Sequence, residues 1–242
     1  MDRVVCGLQC AREAIRVHGA RLPRVCIEDT VSPELAKLER FAGDQGARVD
    51  RVRRSELDKL SQGVRHQGVV ALAPELVLHT LDELLTASPT LVVALDELED
   101  PQNFGAVIRS AVALGANAIV WPEHRSAPLT PATFRASAGA IEHATLCRVG
   151  GLPNALMTMR DADMQIVGLD ANGSTAIADF DLTTAVAIVV GAEGKGLRKT
   201  VKSVCTGLAK LPMGGPIASL NASVAAAIAL YEVVRQRPAN QD

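Results

Sequence analysis

Leu211-Pro-Met-Gly-Gly-Pro-Ile-Ala-Ser-Leu-Asn-Ala-Ser223, running into a helix that ends near Arg237, is the stretch on which the reading of this chain turns. It opens as the apolar end of a strand and passes through a Gly-Gly-Pro loop. Gly214 and Gly215 lack a Cβ and so let backbone come close to a ligand. Asn221 suits a helix N-cap, where its side chain accepts from backbone N–H groups that have no helical partner. Val224, Ile228, Tyr231 and Val234 recur at three- and four-residue spacing, which predicts that this face of the helix is buried. Alone, the stretch is equally a plain loop before a capped helix. Two other stretches give it a context.

Upstream, Leu91–Leu95, Ala118–Trp121, Gln165–Leu169 and Val186–Val190 are short apolar runs, the pattern of strands covered on both faces. Helical segments are expected between them, at about Phe104–Leu114, Pro131–Ala138 and Leu152–Arg160. This predicts a parallel, doubly wound sheet, with ligands beyond the carboxyl ends of its strands. One such end carries Asp100-Pro-Gln-Asn-Phe-Gly-Ala-Val-Ile-Arg109. There Asn103 could cap a helix and place Ala106 and Arg109 or Ser110 roughly on its own side. Another carries Gly191-Ala-Glu-Gly-Lys-Gly-Leu197. That loop fails the dinucleotide fingerprint, having Glu193 where glycine is needed. It fails the P-loop pattern too, having Leu197-Arg198 in place of Lys-Ser or Lys-Thr.

The N-terminal part reads as a separate small α/β unit. Helices are expected at Leu8–Val17, Glu34–Phe41 and Ser55–Leu60, and strands at Arg24–Glu28, Ala47–Val52 and Gly68–Ala73. His66, in Arg65-His-Gln-Gly68 before the last strand, is either a solvent-facing loop histidine or a phosphate or ribose contact. The expected division is 1–75, a connector over 76–89 with a helical turn at Thr80–Leu85, and a second domain over 90–242.

Composition narrows the classes. Of 242 residues, 48% are hydrophobic and 21% charged, enough apolar mass for a real core. Aromatics are 2%, so no base-stacking platform of the single-strand-binding kind can be built. There is no apolar run of about 18 residues to span a membrane and no apolar leader for secretion. The five cysteines form no CxxC pair, so a disulfide framework or zinc site is not expected and a reducing cytoplasm is the natural setting. Net charge is −2, but residues 1–75 carry +2 against −4 for the rest, and 11 of their 13 cations are Arg. Arg is the better residue for bidentate phosphate contacts, which permits an RNA-binding front end.

Taken together, NFGAVIR at 103–109, VGAEGKGL at 190–197 and LPMGGPIASLNASVAAAIALYE at 211–232 closely resemble, in order and spacing, the three motifs of the SpoU (TrmH-type) RNA 2′-O-ribose methyltransferases. Arg125–Thr130, Ser137–His143 and the His66-Gln-Gly-Val69 that closes the first domain resemble its RlmB-type branch, which methylates guanosine in 23S rRNA. The resemblance covers nearly the whole chain. It implies an α/β knot (SPOUT) domain with a deep trefoil, preceded by a small RNA-binding domain. It implies S-adenosylmethionine as cofactor with no metal, and a homodimer formed through the catalytic domains. Cofactor contacts would fall on Gly191, Gly196, Leu211, Met213 and Leu220, and polar site residues on Asn103, Arg109, Glu193, Ser219 and Asn221. Arg51, Arg53, Arg54, Arg65 and His66 are the expected phosphate face of the first domain.

Two positions depart from the family pattern: Ala222 stands where Val is common, and Gly214 where Ser or Ala is. Arg109 would activate the ribose hydroxyl, either by clamping hydroxyl and phosphate or as a base relieved of its proton by a substrate phosphate. A free guanidinium has a pKa above about 12, so the second role is chemically awkward. Other readings are a tRNA or antibiotic-resistance-type rRNA target, a non-catalytic RNA-binding assembly protein, and a small-molecule nucleotide enzyme.

Overall fold

A computed structural model describes residues 2–217 and 219–237. In chain order the elements are β1 (Arg3–Cys6), α1 (Leu8–His18), β2 (Arg24–Glu28), α2 (Pro33–Asp44), β3 (Val49–Val52), α3 (Arg54–Ser61), β4 (Val69–Ala73), β5 (Leu78–His79) and α4 (Leu81–Thr86). There follow β6 (Leu91–Asp96), α5 (Pro101–Ala113), β7 (Ala118–Pro122), α6 (Pro131–Ala136), β8 (Leu146–Val149), α7 (Leu152–Asp161) and β9 (Gln165–Leu169). The last are β10 (Thr175–Ala176), β11 (Val186–Gly191), α8 (Lys199–Lys202), β12 (Gly207–Lys210) and α9 (Ala222–Gln236).

The larger unit is built on an eight-stranded sheet in the order β10-β12-β9-β11-β6-β7-β8-β5, every neighbouring pair parallel. The four apolar runs form its middle. β6 and β11 are buried at every residue, because helices cover both faces of a parallel sheet. Leu152, Leu156 and Met159 of α7 pack on Val92, Val120, Ile166 and Val189. Phe104 of α5 meets Trp121 edge-on, with ring centroids 5.5 Å apart.

The smaller unit holds a four-stranded sheet, β1-β4-β2-β3, antiparallel except for β2 with β3. Its helices match the expected ones to within a few residues; β1, which pairs along β4, was not expected.

The smaller unit's first segment ends at Leu76, one residue past the expected 75, but residues 77–89, expected as a connector, belong to the larger unit. The segment 76–89 is no bare connector, since β5 pairs with β8 and Thr80 with Glu83 forms a reciprocal capping box on α4. Residues Leu129–His143, α6 included, cluster with the N-terminal unit. Their anchors are ionic. The Arg3 guanidinium forks onto Glu142 at 2.8 and 2.5 Å, His18 Nε2 lies 2.9 Å from the same carboxylate, and His143 Nε2 lies 2.9 Å from Glu13. Burial works against charge on Glu13, but bonds from His143 and Arg16 hold its carboxyl below the usual range.

The helix that follows the key stretch also differs from expectation. Val224, Ile228, Tyr231 and Val234 are 45, 40, 60 and 42% exposed, while Ala222, Ala226, Ala229, Leu230 and Val233 are buried. Both faces of α9 are apolar, and it is the small-residue face that allows close approach to α5 and β11.

All five cysteines are free. Burial pushes the thiols of Cys6, Cys10, Cys147 and Cys205 up to about 11, which suits packing residues and not nucleophiles. No described helix is long and apolar enough to cross a membrane.

Candidate active site

The three motif segments meet at the carboxyl ends of β6 and β11. Pro101 opens α5 and has no N–H to offer, so Asp100 is the N-cap and accepts from the backbone N–H of Gln102 and Asn103. Asn103 is therefore not the cap its sequence position allowed. It lies within the first turn, 8% exposed, with its side chain left to bond elsewhere. Its Nδ2 donates to Glu193 Oε2 at 3.0 Å, and its Oδ1 accepts from Asn221 Nδ2 at 2.8 Å. Asn221 Nδ2 also lies 3.3 Å from Glu193 Oε2.

Asn221 is the N-cap expected: its Oδ1 takes the backbone N–H of Ser223 and Val224. One asparagine thus fixes the start of α9 and ties it to the start of α5. Glu193 is held by two neutral amides through one oxygen, and among the described residues its Oε1 has no hydrogen-bond partner in this exposed loop.

The glycine loop is a tight hairpin. Ala192 and Gly196 form a bridge, Gly194 and Gly196 have φ of 76° and 64°, and a Cβ on Gly191 would lie 2.3 Å from the Gly196 carbonyl carbon. No side chain fits at Gly191. The loop is tied down at its far end by a residue not singled out from the sequence. Arg198 donates its backbone N–H and its Nε to the two oxygens of Asp96, at 2.8 and 2.7 Å.

Gly191, Gly196, Leu211, Met213 and Leu220 all line one cavity of about 290 Å³, and Glu193 and Ser219 share its wall. Asp170 and Lys202 line it too, paired with each other, and neither was singled out from the sequence. Burial disfavours charge on Asp170, yet Lys202 and the Asn172 N–H keep its carboxyl below the usual range.

Arg109 stands apart from this cluster. It lies six residues beyond Asn103 on α5, about 9 Å along the axis at 1.5 Å per residue. It is exposed and, among the described residues, has no hydrogen-bond or ion-pair partner. The asparagines bond to each other and to Glu193, not to Arg109.

In the smaller unit, Arg54, Arg65 and His66 line a common cavity, while Arg51 is engaged by Glu39 at 2.5 Å and Arg53 is exposed just before α3. His66 is neither solvent-facing nor open to a phosphate. It is 4% exposed, its Nδ1 accepts from Gly68 N at 3.0 Å, and its Nε2 donates to Asp58 at 3.0 Å. It shapes the turn into β4. Among the described residues, no group of three His, Cys, Asp or Glu is placed to hold a metal.

Residues 90–231 match the model of the SpoU rRNA methylase family, and residues 4–76 match that of the RNA 2′-O ribose methyltransferase substrate-binding domain. An uncharacterized tRNA/rRNA methyltransferase of Mycolicibacterium smegmatis is 41% identical over 235 residues, 95% of this chain and 74% of the relative. A second, from Mycolicibacterium gilvum, is 39% identical over 88% of this chain and 69% of its own length. Among solved structures, the SpoU methyltransferase AviRb from Streptomyces viridochromogenes, in complex with AdoMet, superposes with a TM-score of 0.77 at 27% identity, covering 97% of this chain and 90% of that one. The fold class expected from the motifs, a SPOUT α/β domain behind a small N-terminal domain, is the class these matches share.

Proposed function

The chain belongs to the SpoU family of RNA 2′-O-ribose methyltransferases and uses S-adenosylmethionine, and from that premise we propose that its target is the ribose of one guanosine in 23S rRNA. The observation that carries the catalytic reading is the hydrogen-bonded junction of Asn103, Glu193 and Asn221 at the edge of the Gly191–Leu220 cavity. The guanosine and the 23S target rest on the resemblance of 66–69, 125–130 and 137–143 to the RlmB-type branch.

The cavity suits this cofactor. At about 290 Å³ it stands near the lower end of ligand clefts, which run from roughly 300 Å³ upward. Val190, Ala209, Leu211 and Leu220 offer apolar wall for an adenine. Glu193 suits cationic and hydroxyl groups and Lys195 a carboxylate, while Asp170 and Lys202 are paired with each other on the same wall. When bound, the cofactor supplies an electrophilic methyl group on a sulfonium that departs as a neutral thioether.

The protein's own task is to bring a ribose 2′-OH into line and ease the loss of its proton. Arg109, exposed and without a partner among the described residues, is the clamp for the target phosphate and hydroxyl. A guanidinium is a poor base and a good bidentate donor, so we assign it orientation and charge stabilisation. To Glu193, on the cavity wall, we assign the role of acceptor. Ser219 on the cavity wall offers a hydroxyl to the cofactor or the nucleotide. Asn103 and Asn221 hold the three segments in register.

The exposed apolar face of α9 supports pairing of two copies through this unit. The five unpaired cysteines support a cytoplasmic setting.

The test is methyl transfer from labelled S-adenosylmethionine to 23S rRNA, 16S rRNA and tRNA from cells lacking the gene. Alkali-resistant label at a single 23S guanosine is expected, and Arg109→Ala should abolish it while leaving S-adenosylhomocysteine bound. Label confined to tRNA would overturn the substrate; turnover near wild type in Arg109→Ala would remove the role of Arg109.

A further inference from the structure

The smaller unit contains a second cavity, of about 510 Å³, at the carboxyl end of β2, the end of α3 and the turn into β4. Its floor is fixed. His66 bonds Asp58 and the Gly68 N–H, Gln67 has φ of 52°, and its Oε1 accepts from Leu8 N at 3.2 Å. Gly68 has φ of 82°, and a Cβ there would lie 2.9 Å from Leu35. The turn 65–68 is thus held from three sides, and a cavity with a rigid floor is pre-organised for a ligand.

Two groups on its wall have unused bonding capacity. Glu28 has a side chain 18% exposed and, among the described residues, accepts no side-chain hydrogen bond; its nearest cation, Arg54, stands 3.8 Å away. Arg65 is exposed and, among the described residues, has no ion-pair partner. A half-buried carboxylate that, among the described residues, is paired only at 3.8 Å with an exposed arginine has room for a ligand that brings two donors. The flanking arginines call for an anion or a flat ring: Arg planes stack on unpaired bases, a role that matters where aromatics are 2% of the chain.

A single RNA nucleotide meets these demands together, and the carboxylate selects which. Guanine presents N1–H and N2–H side by side, matching both oxygens of one carboxylate. Adenine and cytosine each set an amino group beside a ring-nitrogen acceptor that a carboxylate repels, and uracil flanks its one N–H with two carbonyls. We propose that the Glu28–Arg54–Arg65 cavity of the substrate-binding unit takes one unpaired guanosine of the RNA, Glu28 reading its Watson–Crick edge and Arg54 and Arg65 holding its ring and phosphate. This rests on the RNA reading above and adds a point of sequence choice outside the reaction centre.

The experiment titrates 5′-GMP, 5′-IMP and 5′-AMP into the full-length protein, with the other cavity filled by S-adenosylhomocysteine, and follows backbone amides by NMR. Occupancy by S-adenosylhomocysteine in the same sample reports on the methyltransferase reading separately. The amides of Gly63–Gly68 should respond to GMP, with an affinity about tenfold above that for AMP, the worth of one bidentate contact. IMP, lacking the N2 donor, should fall between. Glu28→Gln offers one acceptor and one donor, so it should keep its spectrum and lose the preference. Arg65→Ala should weaken all three nucleotides alike. Equal affinities for GMP and AMP, a response mapping elsewhere, no response, or a preference that survives in Glu28→Gln would each overturn the proposal.

Discussion

Asp96, the last residue of β6, and Arg198, the first residue beyond the glycine loop, are 102 positions apart in sequence and share three contacts of 2.7–2.8 Å. The Asp96 side chain is fully buried, and Arg198 extends the network to Glu97 at 3.0 Å. Because Asn103–Glu193 ties the same two segments nearer the cavity, the loop 191–197 is held at two points. Arg198→Ala keeps the backbone bond but frees the far end of the loop. The dissociation constant for S-adenosylmethionine should rise about tenfold, or roughly 1.4 kcal/mol, with RNA binding unchanged. Arg198→Lys should recover little, since an ammonium cannot make the fork. Calorimetric titration decides it; unaltered cofactor affinity would mean that the loop keeps its shape without the pair.

Glu142 is the anchor that ties Leu129–His143 to the N-terminal unit. Its side chain is 1% exposed, and it takes Arg3 and His18 together. Removing one partner of a buried pair leaves the other charge uncompensated, at about 3–5 kcal/mol. Glu142→Ala should therefore lower the urea midpoint of this unit and open the exposed Arg135 to trypsin. Cleavage at Arg135 no faster than in wild type would show that the segment is held by other contacts.

These relationships mark where the sequence stops being legible. The strands β6, β7, β9 and β11 could be read because a strand covered on both faces is apolar throughout. Hydropathy does not identify the packed face of α9, because both of its faces are apolar and the size of Ala226 and Ala229 decides which one packs. Asn103 suits a cap by residue type, but Pro101, two positions earlier, moves the cap to Asp100. The partners Asn103–Glu193 and Asn221–Asn103 lie 90 and 118 positions apart, so no local pattern encodes them. The family resemblance grouped them, and only the fold shows which atoms bond.

Acid should loosen the end of α9. Hydrogen bonds from Arg235, and then from Gln236, favour the charged form of Glu232 and hold its carboxyl down at about 2, against an ordinary 4.5. A depressed carboxyl stabilises the fold above its unfolded value and loses that contribution as pH falls toward 2. The magnitude is at most about 1 kcal/mol, because Arg235 is 54% exposed and solvent screens the pair. Glu232→Gln should melt slightly below wild type at pH 7, and the gap should close between pH 4.5 and 2. A gap that stays constant over that range would assign the difference to packing instead of charge.

The exposed stripe of α9 gives the sharpest test of assembly. Val224, Ile228 and Tyr231 border a shallow groove with Ser110 and Ala227. Large apolar side chains at this density on one helix face are costly to leave in water, each worth about 1.5–3 kcal/mol when fully buried. Pairing of two copies would cover them, and it would do so on the helix whose first turn carries Asn221. Sedimentation should give twice the mass of the chain at micromolar concentration. Ile228→Asp puts a charge in the stripe without touching the buried Ala226, Ala229 and Leu230, so it should give a folded monomer. Its methyl transfer should fall with the dimer, because the position of Asn221 depends on the seating of α9. A wild-type chain that sediments as a monomer at that concentration would leave this face to some other partner.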